Sequence, residues 1–365
     1  LPCDSIGGFE RTITGQIAED PTKTPFYAPF AKPRPATISE ADWARLQADA
    51  RSVISGSVIP AYRSFADFYR TEYAPNCQKL PGVSNQPNGQ AYYAYRVRSF
   101  TTTGLSPDEI HRLGLSEVAR IRAEMDQVAA RAGFPGDRKG FITKLRTDPQ
   151  YYAKTPEELV EITSALAKRI DGEMPKLFGR LPRLPYTVRP VPESTAPGTT
   201  TAYYEPGSLE AGRPGVYRIN TSKLDQRPLF ELPALGVHEA VPGHHHQIAL
   251  NQELDLPKFR RHLAFFTAFV EGWGLYSERL GIEMGLYDTP ERDMGRLSYE
   301  MWRACRLVID TGIHHKGWTR DQAIAYLRDN TALSEHEVTT EVDRYISWPA
   351  QALSYKLGEL AIMKL

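Results

Sequence analysis

The spacing of apolar and polar residues along this chain predicts long helical stretches and a few short extended ones. Helical periodicity begins at Ser39, a predicted N-cap followed by acidic residues, and continues with interruptions through Tyr73. Two further helices are predicted to start at Ser106 and Thr155, because each is followed by proline and then by two acidic residues. From Leu229 onward the pattern is almost entirely helical.

Extended segments are predicted in the middle of the chain and at its start. Residues 91–100 (AYYAYRVRSF) alternate apolar and polar side chains, and short runs within 184–220 are separated by glycine and proline turns, so both regions predict strands. Residues 1–38 are rich in proline, threonine and glycine and predict an extended segment. The predicted fold class is therefore mainly α (α+β): one helical domain over 39–365 with a small central β-sheet.

Charge and hydropathy exclude several classes of protein. The 44 basic and 44 acidic residues give zero formal net charge, whereas nucleic-acid binders usually carry a basic excess. No apolar run reaches the roughly 18–20 residues that a membrane-spanning helix needs. We therefore expect no nucleic-acid partner and no membrane span; the oligomeric state stays open.

Cysteine usage leaves the redox compartment open. Three cysteines are too few for a disulfide scaffold, and their spacing matches no metal motif. Cys305 lies in a helical pattern and is predicted to be a core residue. Cys3 and Cys77 could form a bridge in an exported protein, or both could be free thiols.

Four of the nine histidines lie within residues 238–246, in the run HEAVPGHHH. His238 and Glu239 follow an apolar approach, where a carboxylate is costly unless it has a partner or a task. The pair resembles the HExxH motif, in which two histidines one turn apart bind zinc and the glutamate activates water. The alternatives are a solvated, histidine-rich turn and a core helix with incidental histidines.

The spacing differs from that motif because the residue four positions after His238 is Pro242, which cannot be a ligand. On an unbroken helix His244 would lie on another face, and His245 would return to the same face about 10 Å further along the axis. A local break at Pro242-Gly243 could bring His244 beside His238. His245 remains the alternative metal ligand.

A third metal ligand is predicted 27 residues after His244. The run FVEGWGLYSE places Glu271 inside an otherwise apolar helix. Two histidines and one glutamate form a common catalytic zinc site, with water as the fourth ligand. The alternative for Glu271 is a buried ion pair with Arg260 or Arg261.

Longer motifs carry a family resemblance. The chain from about residue 55 onward resembles domain-of-unknown-function family 885, most clearly in the segments HEAVPGHHHQ (238–247), EGWGLYSE (271–278), EMWRACRLVIDTGIHHKGW (300–318) and RYISWPAQALSYKLG (344–358). That family is similar to the gluzincin-like zinc metallopeptidases, which implies a large helical zinc-peptidase-like fold. Aligning Gly243-His244 with the Gly-His pair of those enzymes favours His244 over His245.

The resemblance also implies catalytic roles. Zn²⁺ would be bound by His238, His244 and Glu271, and Glu239 would accept the proton of the attacking water and pass it to the leaving amine. Related zinc peptidases stabilise the oxyanion with a tyrosine and a histidine from late helices, which implies Tyr355 and His314 here. Simple packing is the alternative for Tyr355, and a position at a helix end, with His315 as its neighbour, is the alternative for His314.

Candidate substrate-binding residues come from three places in the chain. Arg303 and Arg344 could hold a substrate carboxylate, or could form ordinary ion pairs with Glu300 and Asp343. Tyr204 belongs to a predicted strand that could pair with an extended peptide, or could be buried against the helices.

The function expected from these residues is that of a zinc-dependent hydrolase, a metallopeptidase cleaving short peptides. The alternatives are a metal-dependent hydrolase of another amide or ester, and a non-catalytic, envelope-associated binding protein of the same fold. We expect a periplasmic or otherwise exported protein rather than a cytoplasmic one. Because the chain starts at Leu1 without a methionine, we also expect it to be part of a longer protein.

Overall fold

Helices form most of this chain, as a computed structural model shows for residues 2–6, 8–193 and 195–365. The chain divides into two compact units, Leu1–Pro81 and Gly82–Leu365. The predicted mainly α class with a small sheet is confirmed. None of the described helices is both long and apolar enough to cross a membrane.

The first unit contains the helices α1 (Phe9–Thr14), α2 (Glu40–Val53) and α3 (Ile59–Phe68). Ser39 accepts a hydrogen bond from the Asp42 amide and caps α2, as predicted. The segment 1–38, predicted to be extended, carries α1 and several short 3₁₀ turns. A disulfide joins Cys3 to Cys77 and resolves the choice between a bridge and free thiols.

The second unit is built around a long buried helix. Its helices are α4 (Gly89–Thr101), α5 (Pro107–Arg131), α6 (Arg138–Thr147), α7 (Pro156–Leu177), α8 (Leu232–Glu239), α9 (His244–Glu253), α10 (Lys258–His262), α11 (Thr267–Leu280), α12 (Pro290–His314), α13 (Arg320–Asn330), α14 (Glu335–Ser347) and α15 (Ser354–Ile362). Ser106 forms the predicted capping box of α5, and Thr155 caps α7. Helix α12 is buried along nearly all of its length from Met294 and packs against α5, α8 and α13.

The strand prediction for residues 91–100 is wrong, because this segment is part of α4. Its buried residues are Gly89, Tyr93, Val97 and Thr101, which are spaced four apart and form one face of a helix. The aromatic residues between them gave the sequence an apparent alternation, and a run this short fits both periods.

The sheet lies within residues 184–220, as predicted. It consists of β1 (Tyr186–Pro190), β2 (Ala202–Glu205) and β3 (Gly215–Ile219), in the order β1-β3-β2. β1 is parallel to β3, and β2 is antiparallel to β3 with Tyr204 opposite Tyr217. β2 is therefore an edge strand of this sheet.

The disulfide predicts a measurable stability difference in the first unit. Replacing Cys3 and Cys77 by serine should lower the unfolding free energy by about 2–4 kcal/mol, because the bridge restricts the unfolded chain. Thermal unfolding with and without dithiothreitol measures this: reductant should destabilise the wild type and leave the double variant unchanged. Separate alkylation of the two cysteines in a non-reduced digest would contradict the bridge.

Candidate metal centre

The chain between α8 and α9 breaks the helix so that two histidines meet. α8 ends at Glu239 and α9 begins at His244, and the Gly243 amide donates to the Val237 carbonyl at 2.9 Å. A Cβ atom at Gly243 would lie 1.9 Å from the His238 carbonyl oxygen, so only glycine fits this turn. The rings of His238 and His244 consequently lie 4.7 Å apart between centroids.

Glu271, on α11, lies against both histidines. Its Oε2 is 3.4 Å from His244 Nε2 and 3.8 Å from His238 Nε2, and the candidate ligand atoms of the three residues lie within 4.8 Å of one another. Ligands about 2.0–2.1 Å from a tetrahedral ion are separated by roughly 3.4 Å. The two imidazoles and the carboxylate therefore have a composition and spacing that a divalent metal ion fits.

The charges at this cluster are strongly coupled. Burial lowers the pKa of His238, but the carboxylates of Glu271 and Glu278 outweigh burial and raise that pKa to about 10. Burial raises the pKa of Glu271, but hydrogen bonds with His238 and His244 hold it well below its ordinary value. Both shifts arise because the imidazoles and carboxylates are in contact, so that each favours the charged form of its neighbour.

Glu278 contacts the ring nitrogen of His238 that faces away from Glu271, and this contact was not predicted from the sequence. His238 Nδ1 is 2.8 Å from Glu278 Oε1, and both side chains are almost fully buried. A carboxylate that accepts from the second nitrogen of a ligating histidine fixes the ring and raises its basicity. The spacing could have predicted this residue, because Glu278 lies seven residues after Glu271 and therefore two turns along the same helix face.

The ring of His238 also packs directly on the backbone of α11. A Cβ atom at Gly274 would lie 2.8–3.1 Å from atoms of the His238 imidazole. Together, the contacts with Glu278 and Gly274 hold the ring in one position.

A cavity of about 300 Å³ opens onto the three candidate ligands. Glu239 and Tyr355, two of the predicted catalytic residues, line it. The Tyr355 ring stacks on that of His238 at 6.3 Å, and its hydroxyl oxygen accepts a hydrogen bond from Arg344 Nη2 at 3.1 Å. This contact leaves the hydroxyl hydrogen of Tyr355 available to a group in the cavity.

The predicted substrate-binding residues Arg303, Arg344 and Tyr204 also line this cavity. Arg303 Nη2 lies 3.4 Å from Glu278, and Arg344 Nη2 donates to Gln351. The Tyr204 hydroxyl has a partner already, because it lies 2.9 Å from His245 Nδ1.

His245 and His314 do not contribute to the cluster, because their ring nitrogens form hydrogen bonds with other backbone or side-chain groups. His245 Nε2 lies 2.9 Å from the Leu184 carbonyl, in addition to the contact with Tyr204. His314 Nε2 lies 2.9 Å from the Tyr345 carbonyl, and its Nδ1 accepts from the Val83 amide. Burial lowers the pKa of each to about 4, so both are neutral structural residues, and the expected oxyanion role of His314 does not fit its position.

Three further ionisable residues at the cavity, Arg306, Glu337 and Glu341, were not predicted. Arg306 lies on α12 one turn after Arg303, donates to Tyr345 and pairs with Glu341 at 2.7 Å. Glu337, on α14, accepts a hydrogen bond from Thr201. These residues could have been predicted from the sequence, because charged residues at helical spacing stand among apolar neighbours there.

The match to a known family extends over almost the whole chain. Residues 5–365 match the family described as "Bacterial protein of unknown function (DUF885)". None of the curated proteins compared with this chain matches it.

Two solved structures are similar to this one. A Colwellia psychrerythraea protein described as a "putative lipoprotein" is 33% identical with a TM-score of 0.90, and the similarity covers 100% of this chain and 64% of that one. A Shewanella oneidensis "putative lipoprotein of unknown function" is 19% identical with a TM-score of 0.68, covering 100% of this chain and 66% of the other, and shows likeness of fold alone. This chain thus spans about two thirds of the length of both proteins. Since the family match covers nearly the whole sequence, the chain belongs to the DUF885 family of bacterial proteins.

Proposed function

We propose that this protein is a zinc-dependent hydrolase, a metallopeptidase that cleaves short peptides. The observation that carries the proposal is the convergence of His238, His244 and Glu271 within 4.8 Å, beside a cavity that Glu239 also lines. Two histidines and a glutamate are the ligands of catalytic zinc in several peptidases, and the gluzincin-like resemblance of the sequence supports the same assignment.

Three polar residues at the cavity have roles in this proposal: Glu239, Tyr355 and Arg344. When bound, zinc supplies Lewis acidity that lowers the pKa of water toward about 7 and polarises a carbonyl. Glu239 follows a metal ligand in the chain and accepts the proton of the attacking water, then passes it to the leaving amine. The Tyr355 hydroxyl, oriented by Arg344, donates a hydrogen bond to the oxyanion.

The edge strand of the sheet supports a peptide substrate over another amide or ester. Residues 200–204, which include most of β2, line the cavity, and within the described chain β2 pairs with a strand on one side only. An edge strand presents amide and carbonyl groups that an extended peptide can pair with. Tyr204 acts in this proposal through its strand, since its hydroxyl is bonded to His245.

We infer that the protein is exported. The similar Colwellia protein is described as a "putative lipoprotein", and the Cys3–Cys77 disulfide is a bond that persists in oxidising compartments.

The general-base role predicts that Glu239→Gln keeps the metal and loses hydrolysis. The amide is nearly isosteric but cannot accept the proton, so peptide cleavage should fall roughly 100- to 10,000-fold. Digestion of a peptide library by the zinc-loaded proteins measures this, with Glu283→Gln in the exposed turn that follows α11 as the matched control. If the wild type retains zinc and cleaves no peptide, the peptidase assignment is wrong and the non-peptide hydrolase or binding function takes its place.

The ligand set predicts opposite metal contents for two neighbouring histidine variants. After dialysis, His244→Ala should lack zinc, because it removes one of three ligands. His245→Ala should keep zinc and lose thermal stability, because it leaves Tyr204 and the Leu184 carbonyl without a partner. Elemental analysis and thermal unfolding of both proteins test this; loss of zinc from His245→Ala alone would refute the assignment.

The packing of His238 on α11 predicts that one methyl group weakens the metal site. Gly274→Ala should lower zinc affinity by roughly 10- to 100-fold, because the new Cβ displaces the imidazole from its position against Glu278. Gly172→Ala, within α7, is the matched control: its Cβ meets no atom within 4 Å, so it should keep full affinity and gain up to about 1 kcal/mol of stability. Competition with a chromophoric chelator measures both affinities, and equal values for the two variants would contradict the prediction.

A further inference from the structure

Two buried arginines lie at the side of the cavity formed by α12. Arg303 and Arg306 are 3% and 1% exposed and line the same cavity as His238 and Glu271. Among the described residues, Arg303 Nε and Arg306 Nη1 have no hydrogen-bond partner. Buried guanidinium donors without a partner are costly, so these positions are suited to receive an acceptor from a ligand.

Aromatic rings hold both guanidinium groups in place. The Arg303 guanidinium carbon lies 3.8 Å from the centre of the Trp302 ring, and that of Arg306 lies 4.2 Å from the centre of the Tyr355 ring. Stacking of this kind fixes the plane of the fork before a ligand arrives. The arrangement therefore favours a planar anion such as a carboxylate, whose two oxygens can accept from the unpaired nitrogen of each arginine.

The arginines lie about one amino-acid residue from the candidate metal ligands. Arg303 Nη2 and His238 Nδ1 lie 3.4 and 2.8 Å from the same Glu278 oxygen, so they are at most 6.2 Å apart. The Tyr355 ring lies 6.3 Å from the His238 ring and 4.2 Å from the Arg306 guanidinium carbon, which limits that separation to 10.5 Å. Successive residues of a peptide are about 3.8 Å apart between Cα atoms, and a metal–oxygen contact of about 2 Å and a hydrogen bond of about 3 Å add to this at the two ends, so one residue can span a gap of about 9 Å.

Arginines outnumber acidic residues at this end of the cavity. Arg303, Arg306 and Arg344 line it together with Glu337 and Glu341. Glu341 is paired with Arg306 and Arg344, and burial raises the pKa of Glu337 above its ordinary value. The cavity volume, about 300 Å³, is at the small end of ligand pockets and suits the end of a peptide.

We propose that Arg303 and Arg306 bind the α-carboxylate of the substrate, so that the enzyme is a carboxypeptidase that releases the C-terminal residue of a short peptide. This proposal rests on the hydrolase function proposed above. The reaction consumes one water: the C–N bond of the last peptide link breaks, the water oxygen bonds to the carbonyl carbon, and Glu239 transfers the proton to the leaving nitrogen. The products are a shortened peptide carboxylate and a free amino acid.

Binding to the inactive protein tests the carboxylate site without requiring catalysis. The probes are acetyl-Ala-Phe and its C-terminal amide, titrated calorimetrically into zinc-loaded Glu239→Gln protein. The free acid should bind roughly 10- to 100-fold more tightly than the amide, because charge-assisted hydrogen bonds to arginine are lost in the amide. Equal affinities, or no measurable binding of the acid at millimolar concentration, would overturn the proposal.

Arginine variants in the same background then locate the site. Arg303→Gln and Arg306→Gln should each bring the acid-to-amide affinity ratio toward one, whereas a merely structural role would weaken both probes equally and leave the ratio unchanged. Arg292→Gln is the matched control, since Arg292 lies on the same helix in a surface pair with Asp288. Circular dichroism checks folding, and the comparison of the two probes on the parent protein stands even if a variant fails to fold.

Two further outcomes separate this proposal from the hydrolase function. If acetyl-Ala-Glu-amide binds as tightly as acetyl-Ala-Phe, the site recognises a side-chain carboxylate and the carboxypeptidase assignment is wrong. Cleavage of free acids and amides at equal rates by the wild type would also refute it and leave the peptidase function standing. Preferential release of the C-terminal residue from free acids supports both.

Discussion

A partly buried carboxylate that lies against two imidazoles constrains the arrangement of α8, α9 and α11. Glu271 lies within 3.8 Å of both His238 and His244. Removing a carboxylate from water is unfavourable unless other groups replace the lost hydration. This cost favours an arrangement of the three helices in which both histidines lie against Glu271. Apolar packing alone would not specify that arrangement, since it is not directional.

The break between α8 and α9 is stable because backbone groups that lack helical hydrogen bonds there form other hydrogen bonds. The Val237 carbonyl accepts from Gly243, and the Ala240 carbonyl accepts from His245. The Pro242 carbonyl accepts from Trp273 Nε1 at 2.7 Å, which ties the loop to the same helix that carries Glu271. Buried backbone groups must be paired for a turn of this kind to persist. The loop thus gains its stability from α11, and in return it positions His244 toward the carboxylate on α11.

The sequence predicted features that depend on local chemistry and missed those that depend on packing. The N-cap side chains of Ser106 and Thr155 accept hydrogen bonds from amides only three positions away, so the starts of α5 and α7 could be predicted from the local sequence. Residues 91–100 were assigned to a strand because the period of a short amphipathic run is ambiguous, and contacts with distant helices decide it. His238 and Glu271 could be predicted from the sequence because polar residues of these types stand out in apolar surroundings. The positions of Arg306 and His314 depend instead on how α12 packs against α14, and no local sequence pattern specifies that packing.

Stability alone does not explain the buried charges around the cavity. Arg306 and Glu341 are each about 1% exposed and form an ion pair at 2.7 Å. Apolar residues of similar volume would often fill such positions with equal or greater stability, because burying two charges costs more hydration than their attraction returns. A chain with zero net charge also provides little long-range attraction for an anionic ligand. Any discrimination by charge must therefore come from groups inside the cavity, where the low dielectric strengthens each interaction and where the arginines of α12 are already fixed by aromatic rings.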